Sequence, residues 1–154
     1  MNNLFSVKDK VVVITGGTGV LGKAIAVYLA KEGAKVVILG RRAEAGNAIV
    51  EEIKKEGGEA MFLTTNVLDM AVVEQNLKDV LAAYGRVDAL LNAAGGNMPG
   101  ATIAPTGTIF DLKPEEFQTV LNLNLTGTVI PTQVFLKPMV EQKEGCIVNF
   151  SSMA

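Results

Sequence analysis

Three glycines recur at every third residue, Gly16, Gly19 and Gly22, directly after the apolar run VVVIT of residues 11–15. A strand that breaks into glycines and then into a helical pattern suits one kind of ligand. Such a turn aims free backbone N–H groups beyond the end of the sheet, and the helix dipole adds partial positive charge there. Glycines let the turn form and let a bulky anion approach the backbone. The anion implied is a pyrophosphate, and Gly22 would let the helix lie close to the strand. No Lys-Ser or Lys-Thr pair follows the glycines, so a nucleoside-triphosphate loop is not supported. The second apolar run ends in GRR. A carboxylate at that strand end would bind ribose hydroxyls. Here Gly40 takes the place and Arg41 and Arg42 follow, and a guanidinium binds phosphate through a charge-assisted fork.

These residues need a sheet to line them up. Strands are predicted over residues 11–15, 35–39, 60–65, 87–92 and 145–150, as nearly continuous apolar runs of the kind buried on both faces. Helical patterns between them stop at Gly33, at Gly57-Gly58 and at Gly85, natural helix ends. A longer helical region, residues 113–145, contains Gly127, Pro131 and Pro138, which should interrupt it. Strand–helix alternation predicts an α/β fold, a Rossmann-like doubly wound parallel sheet. Its strand order would be 3-2-1-4-5, and residues 1–154 would form a single dinucleotide-binding domain. Residues 95–114 break the rhythm. They are rich in Gly, Pro and Thr, and they follow the fourth strand at the sheet edge where such folds bind ligands.

Composition narrows the function. Of 154 residues, 49% are apolar and 19% charged, and the net charge is −2, which speaks against nucleic acid or an anionic membrane as partner. The absence of histidine removes His-based metal sites and triads, and no metal site is expected. One cysteine, Cys146, suggests a reducing compartment, and a cytoplasmic location is expected. Its apolar neighbours place Cys146 in a buried strand. No apolar run approaches the roughly 20 residues of a membrane span. Phe117, Phe135 and Met139 fall at helical spacing and read as packing residues.

Five motifs in order resemble the short-chain dehydrogenase/reductase superfamily along essentially the whole chain: TGGTGVLG, NVLD at residues 66–69, LLNAAG at 90–95, NLNLTG at 122–127 and GCIVNFSS at 145–152. The later motifs are similar to those of the classical members. The middle glycine, Gly19, stands one place earlier than in their loop, with Val20 in the usual position. That spacing is nearer the extended members, which include nucleotide-sugar epimerases and dehydratases. Asn66 stands where an Asp is usual, and Ala93 replaces the second Asn of Asn-Asn-Ala-Gly.

The resemblance implies an oxidoreductase that moves a hydride between a nicotinamide cofactor and an alcohol or ketone. It implies cofactor contacts from Gly16, Thr18, Gly19, Val20, Leu21, Gly22, Asn66, Val67, Asn92, Ala93, Ala94 and Gly95. An Asn66 carbonyl can still accept from the adenine amine. Arg41, and secondarily Arg42, would favour NADP over the alternative, NAD. Asn124 would hold a helix bend and position a water, and Ser152 would hydrogen-bond the substrate oxygen. The residues around NAAGGNMPGATI resemble members that act on sugar acids, D-mannonate oxidoreductase among them, so the partner expected is a small hydroxy or keto compound. A homodimer or homotetramer is implied for a full-length member. The family's Tyr-x-x-x-Lys pair is missing, since Tyr28 and Tyr84 are followed four residues later by Glu32 and Asp88. The 154 residues are therefore expected to be the cofactor-binding portion of a longer enzyme, inactive alone. A non-catalytic dinucleotide-binding module is the competing expectation.

Overall fold

A computed structural model describes residues 5–151. Strands β1 (Val11–Thr15), β2 (Lys35–Gly40), β3 (Glu59–Thr64), β4 (Ala89–Asn92) and β5 (Cys146–Asn149) form one parallel sheet in the order β3-β2-β1-β4-β5. The predicted Rossmann-like topology is the one observed. Helices α1 (Val20–Lys31), α2 (Ala43–Lys55), α3 (Met70–Tyr84), α4 (Pro114–Leu121) and α5 (Gly127–Gln142) connect the strands. No helix among the described residues is long and apolar enough to cross a membrane.

Side chains alternate across a strand, so a run apolar at every position fills two cores. Val12 and Ile14 of β1 pack with Ala26 and Ala30 of α1 and Ile49 and Ile53 of α2. Val11 and Val13 pack on the other face with Val73 and Val80 of α3 and Val134 and Phe135 of α5. Each fully buried Val, Ile or Phe side chain among them contributes about 1.5–3 kcal/mol. The helices end as their sequences dictate. Asp69 caps α3 by accepting from Val72 N at 3.2 Å, and Gly85 closes it in the left-handed region at φ 73°.

Three expectations need correction. The expected order makes β3 and β5 the edges, and neither is buried on both faces as its apolar run suggested. Glu59 and Thr64 of β3 are exposed, and so are three of the four residues of β5. Cys146 is accordingly exposed, not core. Phe135 and Met139 are buried, whereas Phe117 lies on the outer side of α4, 43% exposed. Finally, Pro131 and Pro138 sit inside α5 without breaking it. The interruption is a widened π turn, Asn122–Thr126. It ends at Gly127, whose carbonyl is the one that the Pro131 ring would crowd.

At the amino ends of the strands, buried Asp88 accepts from Val11 N at 2.8 Å and from Arg86, and Lys10 stands 3.5 Å away. Lys10 also pairs with Glu144 at 2.8 Å, and Cys146 N donates to Asp88 O at 3.0 Å. Burial pushes the Asp88 carboxyl up, but the bonds from Arg86 and Val11 N and the charges of Arg86 and Lys10 together hold it below the ordinary aspartate value. A carboxyl with a lowered folded pKa stabilises fully above its unfolded pKa and loses that contribution as pH falls through the folded value. Urea unfolding at pH 7 should find Asp88→Ala less stable than wild type by about 2 kcal/mol, because the Val11 N–H is left buried and unpaired. The gap should narrow in acid, below the ordinary aspartate pKa. Equal stability at pH 7 would show that the network holds nothing together.

Candidate functional site

The parallel register brings Thr15, Leu39 and Asn92 level at the carboxyl edge, with Gly40 opposite Thr64. Everything at this edge is built around one close approach. Gly16 has φ 66°, and a Cβ there would lie 2.6 Å from Ala93 O and 2.7 Å from Ala94 N. The wholly buried Thr15 supports the same contact, its Oγ1 accepting from Ala93 N and Ala94 N at 3.1 Å each. Helix α1 then rests on the turn, because a Cβ on Gly22 would lie 2.5 Å from Gly16 O.

Gly19 is the first boundary residue of α1 and carries no side-chain cap. Its own N–H donates to Gly16 O at 2.9 Å, and the first helical bond is Lys23 N to Gly19 O at 2.8 Å. The N–H groups of Val20, Leu21 and Gly22 precede that bond and find no acceptor among the described residues. Beside this positive helix end, reached through Gly19, lies a cleft of about 560 Å³. The cleft is floored by Gly16, Thr18 and Gly19, walled by Ala93, Ala94 and Gly95, and rimmed by Gly40, Arg41 and Arg42. The segment from Thr65 to Leu68 closes the far side, and none of the lining residues is acidic.

The structure sorts the predicted residues. Gly16, Thr18, Gly19, Arg41, Arg42, Asn66, Val67, Ala93, Ala94 and Gly95 line the cleft together. Val20 and Leu21 are not among the residues that line it. The Val20 side chain is 94% exposed, which explains why glycine is not needed there. Gly22 is buried beneath the helix as a packing residue. Asn92 does not reach the cleft. It is buried, donating to Thr132 Oγ1 at 3.0 Å and Asn149 Oδ1 at 2.9 Å, with its own Oδ1 unpartnered. Asn66 Oδ1 already accepts from Leu68 N at 3.1 Å, a local turn that shapes the expected adenine acceptor. Arg41 makes no hydrogen bond or ion pair among the described residues, whereas Arg42 Nη2 donates to Thr18 O at 2.7 Å.

Asn124 lies in the π turn and makes a reciprocal pair with one residue. Its Nδ2 donates to Gly96 O and its Oδ1 accepts from Gly96 N, both at 2.9 Å. A π turn stands where the bend was expected, and the carboxamide is engaged with the backbone at the root of the 95–114 segment. Thr128 Oγ1 donates to the Asn124 carbonyl at 2.9 Å. Ser152 lies outside the described residues. The 95–114 segment is held by its own polar bonds. Glu116 accepts from Gly100 N at 2.7 Å, and this bond, with Lys113 beside it, keeps its carboxyl below the usual glutamate range.

Sequence reasoning missed Thr15, Thr65, Leu68, Thr119 and Leu123. The first is a polar residue ending an apolar strand, a readable signal for a side chain that must serve the strand edge. Thr65 is similar, being buried and hydrogen-bonded by Asn76 Nδ2 at 2.6 Å. Thr119 of α4 and Leu123 of the π turn reach the cleft only through the tertiary placement of those elements, which no local pattern announces.

The sequence matches the short chain dehydrogenase family over residues 10–154. It is 42% identical to the uncharacterized oxidoreductase UxuB of Bacillus subtilis, covering 94% of this chain and 55% of that protein. A crystal structure from Haemophilus influenza, provisionally assigned as a D-mannonate oxidoreductase and holding NAD, superposes with a TM-score of 0.88 at 35% identity, covering 96% of this chain and 56% of the other. A metagenomic short-chain oxidoreductase in complex with NADP gives 0.84 at 33% identity, covering 97% and 65%. The chain thus spans about half the length of the curated relatives it matches.

The glycines separate folding from ligand approach. Gly16→Ala forces a Cβ into backbone that cannot yield and into a strained φ. Gly19→Ala meets only Gly16 O at 3.2 Å. Thermal unfolding should show a marked loss of stability for Gly16→Ala and a midpoint near wild type for Gly19→Ala. Equal losses for both would contradict this division.

Proposed function

The chain belongs to the short-chain dehydrogenase family, and from that premise we propose that the full-length protein is an NADP(H)-preferring oxidoreductase acting on a sugar acid of the mannonate–fructuronate kind. One observation carries the reading: a cleft floored by Gly16, Thr18 and Gly19, where α1 begins, is rimmed at the end of β2 by two arginines and no carboxylate. The residues present fit a dinucleotide. The volume suits a small-molecule site, and the space above Gly19 is filled by no protein atom but Gly16 O.

The bound nicotinamide supplies or accepts the hydride. The chain's own residues bind and orient. The N–H groups of Val20, Leu21 and Gly22 would hold the pyrophosphate in the positive field of α1. Arg41 would take the ribose 2′-phosphate, which a carboxylate at that place would repel. Asn66 and Val67 would hold the adenine, and Ala93, Ala94 and Gly95 would wall the dinucleotide. Asn124 fixes the turn beside that wall. Ser152 polarises the substrate oxygen as negative charge develops on it.

The proton donor is assigned to residues beyond the 154 given. Tyr28 is on the outer surface of α1, and Tyr84 lies under Lys35 Nζ, 5.6 Å from its ring centroid, at the amino edge of the sheet. Neither lines the cleft. Residues 1–154 are thus read as the dinucleotide-binding portion, inactive without that donor, of a cytoplasmic homo-oligomer. The exposed Val129, Leu136 and Val140 of α5 are the surface proposed for pairing. The sugar-acid assignment is supported by the Haemophilus influenza relative and by the motif that opens the 95–114 segment.

The two related structures hold different cofactors, NAD in one and NADP in the other, so the preference rests on Arg41. In the full-length protein, Arg41→Ala should raise the dissociation constant for NADPH by roughly 10- to 100-fold, the scale of a lost bond between charged groups. NADH binding should stay nearly unchanged. Equal losses would reduce Arg41 to general anion attraction. Fructuronate should drive NADPH oxidation in the same protein, and its inertness would overturn the substrate assignment.

A further inference from the structure

We propose that Arg42 is a positioning residue that clamps the glycine turn: its bond to the Thr18 carbonyl fixes the peptide on which α1 begins, leaving Arg41 alone to read the cofactor's ribose. The inference rests on the cleft being the dinucleotide site. Its geometric basis is independent of any ligand.

The Thr18–Gly19 peptide is held from both ends. Its carbonyl accepts from Arg42 Nη2 at 2.7 Å, and its N–H donates to Gly16 O at 2.9 Å. Donation into the carbonyl polarises the amide and strengthens its N–H as a donor, so the two bonds support one another. The next peptide carries the Val20 N–H, the first of the uncapped donors. Whatever fixes the Thr18–Gly19 plane therefore fixes where that donor row starts.

A second contact acts on the same residue. Gly40 is buried, and a Cβ there would lie 2.9 Å from both Thr18 Cγ2 and Thr18 Oγ1. Gly17 N also donates to Leu39 O at 3.2 Å. The end of β2 thus seats the side chain of Thr18 through Gly40, holds its carbonyl through Arg42 and ties the residue before it through Leu39. Arg42 itself has a reason to make this bond. It is the N-terminal boundary residue of α2, where the helix dipole disfavours a cation, and the Thr18 carbonyl supplies the compensating negative end. Arg41, one residue earlier, has no such partner, so the adjacent arginines are not equivalent.

The test uses the full-length protein with NADPH, NADH and ADP as probes. All three carry the diphosphate, and only NADPH carries the 2′-phosphate. Arg42→Ala should raise the three dissociation constants by a common factor of about ten, the scale of one hydrogen bond involving a charged group. Arg42→Lys, whose ammonium can still donate to a carbonyl, should recover most of the loss. In ligand-free protein, the Gly19 and Lys23 amides should exchange hydrogen faster in Arg42→Ala, with α3 and α5 unchanged. A loss confined to NADPH would make Arg42 a phosphate reader and overturn the clamp, as would unchanged binding of all three. Unchanged exchange at Gly19 and Lys23 would overturn it too. If wild-type protein binds none of the probes, the dinucleotide reading falls, and the exchange measurement still decides the clamp.

Discussion

The approach of Gly16 to the Ala93–Ala94 peptide is the constraint on which the site depends. Two backbones meet where one Cβ would collide, and Thr15 Oγ1 binds both N–H groups from the β4 side. This joins the ends of β1 and β4 more tightly than ladder bonds alone. With the β1 turn pinned there, α1 has one available seat, on Gly22 against Gly16 O. The direction of its uncapped N–H groups follows. A side chain at residue 16 would therefore move the whole anion site with the turn, through a chain of contacts that involves no flexible group.

A parallel sheet has two chemically different edges, and this chain uses each differently. At the amino edge, Asp88, Glu144, Lys10 and Arg86 form a compensated network around a buried carboxylate. Its charges are spent on joining β1, β4 and the start of β5. At the carboxyl edge the balance is left open. The helix end of α1 and Arg41 present positive potential with no acidic lining residue to cancel it. A molecule with a net charge of −2 still has a cationic cleft, because none of its acidic residues lines that edge.

Elements whose signal is local were legible in the sequence. Strands β1 and β2 announce two buried faces by unbroken apolar runs, and Gly33, Gly57 and Gly85 each close a helix at positive φ. The sheet order followed from alternation and the handedness of crossovers. What stayed hidden depends on partners distant in sequence. The expected order already made β5 an edge, but nothing in the apolar run around Cys146 says that its side chain is exposed. Nothing near Arg42 names Thr18, 24 residues earlier, and nothing near Asn92 names Thr132, 40 residues later. The π turn was masked by the prolines, which by local rules are the stronger helix breakers.

The 93–96 segment shows why the two halves of such a site can differ in freedom. On one side Thr15 holds the Ala93 and Ala94 amides. On the other, Asn124 pairs with both backbone groups of Gly96, and a Cβ on Gly95 would lie 2.9 Å from the same Asn124 oxygen. Four successive residues are thereby fixed from β1 and from the π turn at once. Past Gly96 the bonds become internal to the 95–114 segment or join it to the start of α4, as between Glu116 and Gly100. A change of sequence in that segment acts on its own geometry and on α4, while the Ala93–Gly95 wall of the cleft stays anchored. The geometry of the cleft wall is set by the sheet and the π turn, and the segment beyond Gly96 is left free of both.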